Sequence, residues 1–266
     1  MRQENLFSRP GTKHKNIWQF QEPLVIDPLK MSEVRFANQI LNLEGQAFSH
    51  TALRMPRWVF YDCAVIPGVV CGFAKKTKSL TKNEIKALKP DLKLEWTPIS
   101  LFIIIPTVRQ GEWIAHNLCS MNSLVKNEAD ELYALGFLTK AFGLWYANVE
   151  ILCGMFQWGS PAIKLHSHYG PFQILTAYTP VHTYPTTMTY RALIDTRYWL
   201  SFFTGGDGVD LSLYKDTGLK VDPKKVTSLK ALQTQIEAGR GPFYLRPDEV
   251  RTNYKKPMGV WHFEKS

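Results

Sequence analysis

The chain has 266 residues, 45% hydrophobic and 21% charged, with a net charge of +9. That balance excludes a disordered or collagen-like polymer and leaves room for one large domain or two small ones, each with a core. The positive charge brings forward anionic partners: nucleic acid, acidic lipid or a phosphate-bearing cofactor.

No zinc finger, RNP-like motif or arginine-rich helix accompanies the charge, so nucleic acid is a secondary expectation. The longest apolar run, Leu101 to Ile105 with its neighbours, is too short to span a membrane. The N-terminal text MRQENLFSRPGTKHKNIWQF lacks the apolar core of a signal peptide. Cys63, Cys71, Cys119 and Cys153 sit in apolar surroundings without C-x-x-C spacing. They read as reduced thiols of a cytoplasmic protein rather than a disulfide frame or zinc site.

Residues 1–21 are polar and basic and read as an arm. Pro23–Asp27 suits a strand. Ser32 then opens a helical pattern carrying Val34, Phe36, Ile40, Leu41 and Leu43. Arg57–Val65 and Val69–Ala74 read as two strands around a Pro67-Gly68 turn. Lys75–Leu94 is a charged connection with a short helix over Lys82–Leu88. Trp96–Pro106 is apolar on both faces, as a covered central strand would be. Gly111–Asn122 alternates like a further strand.

An acidic start at Asn127–Glu131 leads into a helix ending near Tyr146. The strand Val149–Trp158 follows. Ser160 is a cap and Pro161 a first-turn residue for a segment over Ala162–Tyr169, with Gly170 as its stop. Strands Phe172–Val181 and Thr186–Ile194 come next. The glycine-rich stretch Gly205–Gly208 contains Asp207 but lacks an EF-hand ligand pattern. Ser228–Ala238 suits a helix, and the remaining tail suits an irregular extension. The domain plan is an arm over 1–21, an α+β domain over 22–195 and a C-terminal extension over 196–266.

His166, His168 and His182 lie between apolar strands, where titratable side chains suggest a site. Histidine titrates near neutrality, so His166 and His116 are the acid–base candidates. Gln157, Trp158 and Ser160 form a polar–aromatic corner suited to holding substrate. No carboxylate or cysteine supports His166 and His168 at a metal-ligand spacing, so no metal is expected.

The order strand, helix, hairpin, long strand, helix, strand, short helix, strand, strand resembles the GNAT-type acyltransferases. The local text Gly159-Ser160-Pro161-Ala162-Ile163-Lys164-Leu165-His166-Ser167-His168-Tyr169-Gly170 resembles that family's N-x-A-x-x-L-Y-x-x-x-G-F, with Ala162, Leu165 and Gly170 matching. His166 stands where the family has a thiolate-protonating tyrosine. The glycine-rich phosphate cradle of the family is reduced to Gly136 in Leu135-Gly136-Phe137, and Arg109-Gln110-Gly111 has a different spacing.

The resemblance implies an α+β fold with a mixed, mostly antiparallel sheet and flanking helices. It implies acyl transfer from acyl-CoA or an acyl-carrier protein to an amine or similar acceptor, with no permanently bound cofactor. Within it, His166 and His116 are catalytic, Gly136, Lys140 and Ser160 hold the donor, and Asn117, Gln157, Trp158 and Tyr169 contact substrate. The alternative is a double hot-dog thioester hydrolase or dehydratase, in which 162–169 is a strand with His166 and His168 on one face. The aromatic content of 13% also suits a non-catalytic protein with an apolar cavity.

Overall fold

The computed structural model describes residues 7–8, 17–18, 23, 25–27, 29–50, 54–65, 68–125, 134–194 and 210–264. The chain divides into two compact units, residues 20–149 and residues 1–19 with 150–266. Near the N-terminus β1 (Phe7–Ser8) and β2 (Ile17–Trp18) pair antiparallel; most of the expected basic arm lies outside the described residues. So do the acidic helix start at 127–131, Pro67, and the Gly205–Gly208 stretch with Asp207.

In the unit of residues 20–149, the strand expected at Pro23–Asp27 is absent from the described positions, which carry no regular structure. The first helix is α1 (Val34–Ala47), which buries Ala37, Leu43 and Glu44. Arg57–Val65, expected as a strand, is α2 (Arg57–Val65). Its buried side chains, Phe60 and Cys63, are three residues apart while Trp58 and Asp62 face solvent. That is helical spacing, which a short apolar run does not distinguish from a strand.

β3 (Val69–Cys71) therefore has no hairpin partner at 57–65 and pairs instead with a later strand. β4 (Ala74–Lys76) and α3 (Lys82–Leu88) follow, the latter with a complete capping box between Thr81 and Glu84. The long strand expected over Trp96–Pro106 divides at Ile99 into β5 (Trp96–Pro98) and β6 (Ser100–Pro106). β5 pairs with β4, and β6 pairs with β3 and β7 (Glu112–Ser120), all antiparallel. Leu101 to Ile104 are buried on both faces of β6.

α4 (Leu135–Tyr146) packs on β3, β6 and β7. It is buried almost all round, including Leu138, Ala141 and Lys140. A Cβ at Gly143 would stand 2.7 Å from the Phe102 ring and 2.9 Å from the Cys71 sulfur.

The other unit begins with β8 (Ile151–Gln157) and α5 (Pro161–His166), which runs into a single 3-10 turn over Ser167–Tyr169. The segment is thus helical, and the strand reading that supported the double hot-dog alternative does not describe it. β9 (Phe172–Thr176) stops short of the expected Val181. The reason is a tertiary contact: the Ala177 and Tyr178 amides donate to Gln233 Oε1, at 2.8 and 3.3 Å, and not to a neighbouring strand. β10 (Thr187–Leu193) lies between β8 and β9.

β11 (Tyr214–Val221) follows, and the helix expected over Ser228–Ala238 is α6 (Val226–Glu237). The tail after Gly239, expected to be irregular, is ordered and comprises β12 (Phe243–Leu245), α7 (Pro247–Asn253) and β13 (Met258–Phe263). Within this unit the strand order is β11-β13-β12-β9-β10-β8, antiparallel at each registered pair. One apolar cluster joins Phe156, Phe172 and Tyr190 to Leu229, Val250 and Val260.

Two glycines bound the α5 segment for different reasons. Gly159 has φ of +73° with nothing near its would-be Cβ. Gly170 has φ of +153°, and a Cβ there would meet the Leu193 carbonyl oxygen at 2.4 Å. Gly159→Ala is therefore expected to lose about 1–2 kcal/mol of unfolding free energy, the left-handed penalty alone. Gly170→Ala should lose more, because its backbone neighbour must also move. Equal midpoint shifts in urea melts of the two variants would contradict this.

Candidate active site

The clearest polar arrangement in the unit of residues 1–19 and 150–266 centres on His166. Ser160 caps α5 by accepting the Ala162 amide at 3.2 Å, and Pro161 fits the first turn, where its missing N–H costs nothing. His166 falls in the last turn and is buried. Its Nδ1 lies 3.3 Å from the Tyr190 hydroxyl. Its ring stacks on Phe156 at 5.9 Å between centroids.

Tyr190 is fully buried against Phe156 and Phe172, with centroid distances of 5.0 and 4.8 Å. It faces Gly154 across the β8–β10 pair. A Cβ on Gly154 would stand 2.7 Å from the Tyr190 hydroxyl and 2.9 Å from its ring. The missing side chain is what admits the phenol. Burial, then the Cys153 thiol, pushes the Tyr190 pKa well up, so the phenol stays neutral. In the neutral ring Nδ1 can accept from the phenol while Nε2–H donates a hydrogen bond; in the imidazolium form Nδ1–H donates to the phenol oxygen and the Nε2 proton can be transferred.

The other sequence-predicted residues of this unit are mostly structural. Trp158 is buried and spends its indole N–H on the Ala177 carbonyl at 2.7 Å. Tyr169 has no exposed surface, so direct substrate contact is not open to it. Gln157 is half-buried at the end of β8, and its carbonyl accepts the Ser160 amide. The Ser160 hydroxyl serves the cap. His182 is bound within the β9–β10 loop, with Nδ1 3.0 Å from the Tyr184 amide.

In the unit of residues 20–149, Lys140 is 1% exposed and burial drives its pKa well down. A donor-binding lysine would present a charged ammonium to phosphate, so the expectation for Lys140 is corrected: a helix packed on all sides hides it. Gly136 lies in the first turn of α4. Arg109-Gln110-Gly111 is the β6–β7 turn, closed by the Glu112 amide donating to the Arg109 carbonyl. His116 is exposed on β7, and partial burial lowers its pKa, leaving it neutral at pH 7.

Asn117 donates to a residue that sequence reasoning missed. Glu44 is fully buried on α1. Its Oε1 accepts from Asn117 Nδ2 at 3.0 Å and from the Met55 amide at 2.8 Å. Its Oε2 has no hydrogen-bond partner among the described residues. Burial raises its pKa above the usual carboxylate value, against the lowering effects of the Met55 amide, Arg54 and Asn117. The Cys119 thiol is pushed up to about 12, by burial first and the Glu44 charge second.

Two signals could have found these residues. Glu44 stands four positions after Ile40 on the apolar stripe of its helix, where a charge is out of place. Gly154 interrupts a strand, which marks close approach of another group. Tyr190 had no signal of its own. Among the described residues no three His, Cys, Asp or Glu side chains form a metal-binding group, and no helix is long and apolar enough to cross a membrane. All four cysteines are free.

No protein-family model and no curated protein matches the chain. Two solved structures are similar to it. One is an aminoglycoside 6'-acetyltransferase type Ii, with 8% identity over 65% of this chain and 99% of that one, at a TM-score of 0.42. The other is a protein described as an acyl-CoA N-acyltransferase from Klebsiella pneumoniae, with 13% identity over 64% of this chain and 94% of that one, at a TM-score of 0.36.

Glu44 makes stability depend on pH in a definite direction. Its folded pKa is raised, so its contribution is full below the unfolded value and is lost as pH rises through the folded one. Glu44→Gln keeps an acceptor for Met55 and Asn117 and removes the charge. The variant should melt higher than the parent above the folded pKa and converge with it in acid; parallel Tm–pH curves would refute the assignment. Gly154→Ala should cost about 1–3 kcal/mol by overpacking against Tyr190. Guanidinium melts measure that loss, and an unchanged midpoint would mean that the ring yields freely.

Proposed function

We propose that the chain is an acyltransferase of GNAT-like architecture, moving an acyl group from acyl-CoA or an acyl-carrier thioester to an amine or similar acceptor. The observation that carries this reading is the buried His166–Tyr190 pair on the capped helix that follows β8. Apart from β7, which is an extra strand between the long strand and the helix, the order β6, α4, β8, α5, β9, β10 agrees with the element order expected for that architecture from the long strand onward. The earlier part of the chain departs from it.

The chemistry suits the residues. The acceptor nitrogen attacks the thioester carbonyl carbon, a C–N bond forms, and the C–S bond breaks as the acceptor loses its proton to a base. The departing thiolate needs a proton. His166 in its imidazolium form is suited to give it from Nε2, while its Nδ1–H donates to the Tyr190 hydroxyl oxygen, which holds the ring and leaves the neutral Nδ1–H tautomer once the proton has gone. Stacking on Phe156 restrains the imidazole further. His166 would be the catalytic residue and Tyr190 a positioning residue. No resident cofactor is part of this scheme, because the thioester donor is a co-substrate.

Calorimetry with acetyl-CoA, longer acyl-CoA esters and an acylated carrier protein tests the donor class. Binding should raise Tm with the logarithm of ligand concentration above Kd, and absence of binding by every donor would sink the proposal. For the active pair, His166→Gln should lower kcat by about 10²-fold or more with KM little changed, the usual scale of proton-transfer catalysis. Tyr190→Phe should retain the fold and displace the alkaline limb of the kcat–pH profile, where the proton donor is lost. An unmoved profile would restrict Tyr190 to packing.

A further inference from the structure

The unit of residues 20–149 holds a second feature that the acyl-transfer reading leaves unused. A groove of about 550 Å³ is bordered by β4, α3 and the turn leading into β5. It is lined by the aliphatic side chains of Leu80, Ile85, Leu92 and Leu94 together with Lys76, Thr77, Lys78 and Glu95. Leu92 is 67% exposed, an apolar side chain left open to water.

The walls are held in place before any ligand arrives. Glu84 is buried, and its carboxylate accepts from the Thr81 amide at 2.7 Å and from Lys75 Nζ at 3.0 Å on both oxygens. The Thr77 amide donates to the Glu95 carbonyl at 2.8 Å, and the Thr77 and Thr97 hydroxyls meet at 3.0 Å. Asp91 in the closing turn is paired with Arg35 of α1 and accepts the Lys93 amide at 3.0 Å. Two of the local carboxylates are therefore already engaged by other cations. Neither Lys76 nor Lys78 forms a salt bridge among the described residues. Lys76 Nζ lies over the Trp96 ring at 5.4 Å.

We propose that this groove binds a free amphiphilic anion. Its aliphatic chain would lie on Leu80, Ile85, Leu92 and Leu94, and its carboxylate or phosphate head would meet the Lys76 and Lys78 ammonium groups. Three features select this chemistry. The volume falls within the range of about 300–1,000 Å³ typical of small-molecule sites. The apolar part of the lining is aliphatic and offers no ring on which a nucleobase would stack. Lys76 and Lys78 outweigh Glu95 among the lining residues, which leaves a net positive charge complementary to an anion with a single head. The proposal is independent of the acyl-transfer reading, since it uses none of the same residues.

The test is a methyl-NMR titration of the full chain, labelled at Leu and Ile, with decanoate and decyl phosphate as probes below their micelle concentrations. The expected result is saturable shifts at the Leu80, Ile85, Leu92 and Leu94 methyls. Decanol and inorganic phosphate should each bind at least about fivefold more weakly, the scale of one exposed charge interaction. Lys78→Glu and Leu92→Asp change exposed side chains, and each should weaken decanoate binding by a similar factor without altering distant methyl signals.

Decanol binding as tightly as decanoate, or unchanged affinity in Lys78→Glu, would overturn the proposal. So would shifts confined to other methyls. Phosphatidylglycerol vesicles provide a further arm. Sedimentation with vesicles, without any response to monomeric probes, would overturn it in favour of a membrane surface.

Discussion

A phenol enclosed by aromatic rings sets the geometry of the unit that contains His166. Tyr190 fits there because the facing residue, Gly154, has no side chain. Its ring then closes the cluster with Phe156 and Phe172. A hydroxyl taken into such surroundings must keep a hydrogen-bond partner, or folding bears its full desolvation cost. The partner is His166 Nδ1. The position of α5 follows from that requirement. Ser160 and Pro161 start the helix, and Gly170 lets the chain pass under the Leu193 carbonyl into β9. Packing, polar satisfaction and the orientation of one imidazole are thus a single arrangement.

Two of the buried glutamates in the unit of residues 20–149, Glu84 and Glu44, have opposite roles. Glu84 is saturated: a lysine and a cap amide occupy its oxygens, and it fixes the start of α3. Glu44 is half-satisfied, with one oxygen bound twice and the other bound by nothing among the described residues. The first behaves as a rigid corner and supports a preformed groove. The second stores unfavourable desolvation in the core, which is why its proton affinity rises. Asn117, expected to meet substrate, is committed to restraining that carboxylate.

Much of the local structure was legible. The capped start at Ser160, the helix over Lys82–Leu88, and the strands around Ser100–Pro106 and Thr187–Leu193 follow from caps, turn residues and apolar period. The errors fall where period is silent. Arg57–Val65 is too short and too apolar to distinguish strand from helix, and it folds as α2. The strand after Phe172 ends early because a distant glutamine, Gln233, takes the amides of Ala177 and Tyr178. The tail after Gly239 looked irregular because its strands are short, yet β12 and β13 extend a sheet together with β11.

By itself the sequence determined where α3 lies, where α5 starts, and which segment brings histidines between buried strands. It also identified His166 as a residue at the end of a short capped helix. Those properties depend on neighbours within a few positions, so local text suffices. Tertiary structure alone decided that Tyr190, 24 residues away, would hold that histidine. It decided too that Lys140 would be hidden, that Glu44 would be buried beside Asn117, and that lysines near β4 would line a groove together with aliphatic side chains. Each of these depends on which strand pairs with which and which helix face meets the sheet. Such choices are made by the burial of the whole chain, and no short window of residues contains them.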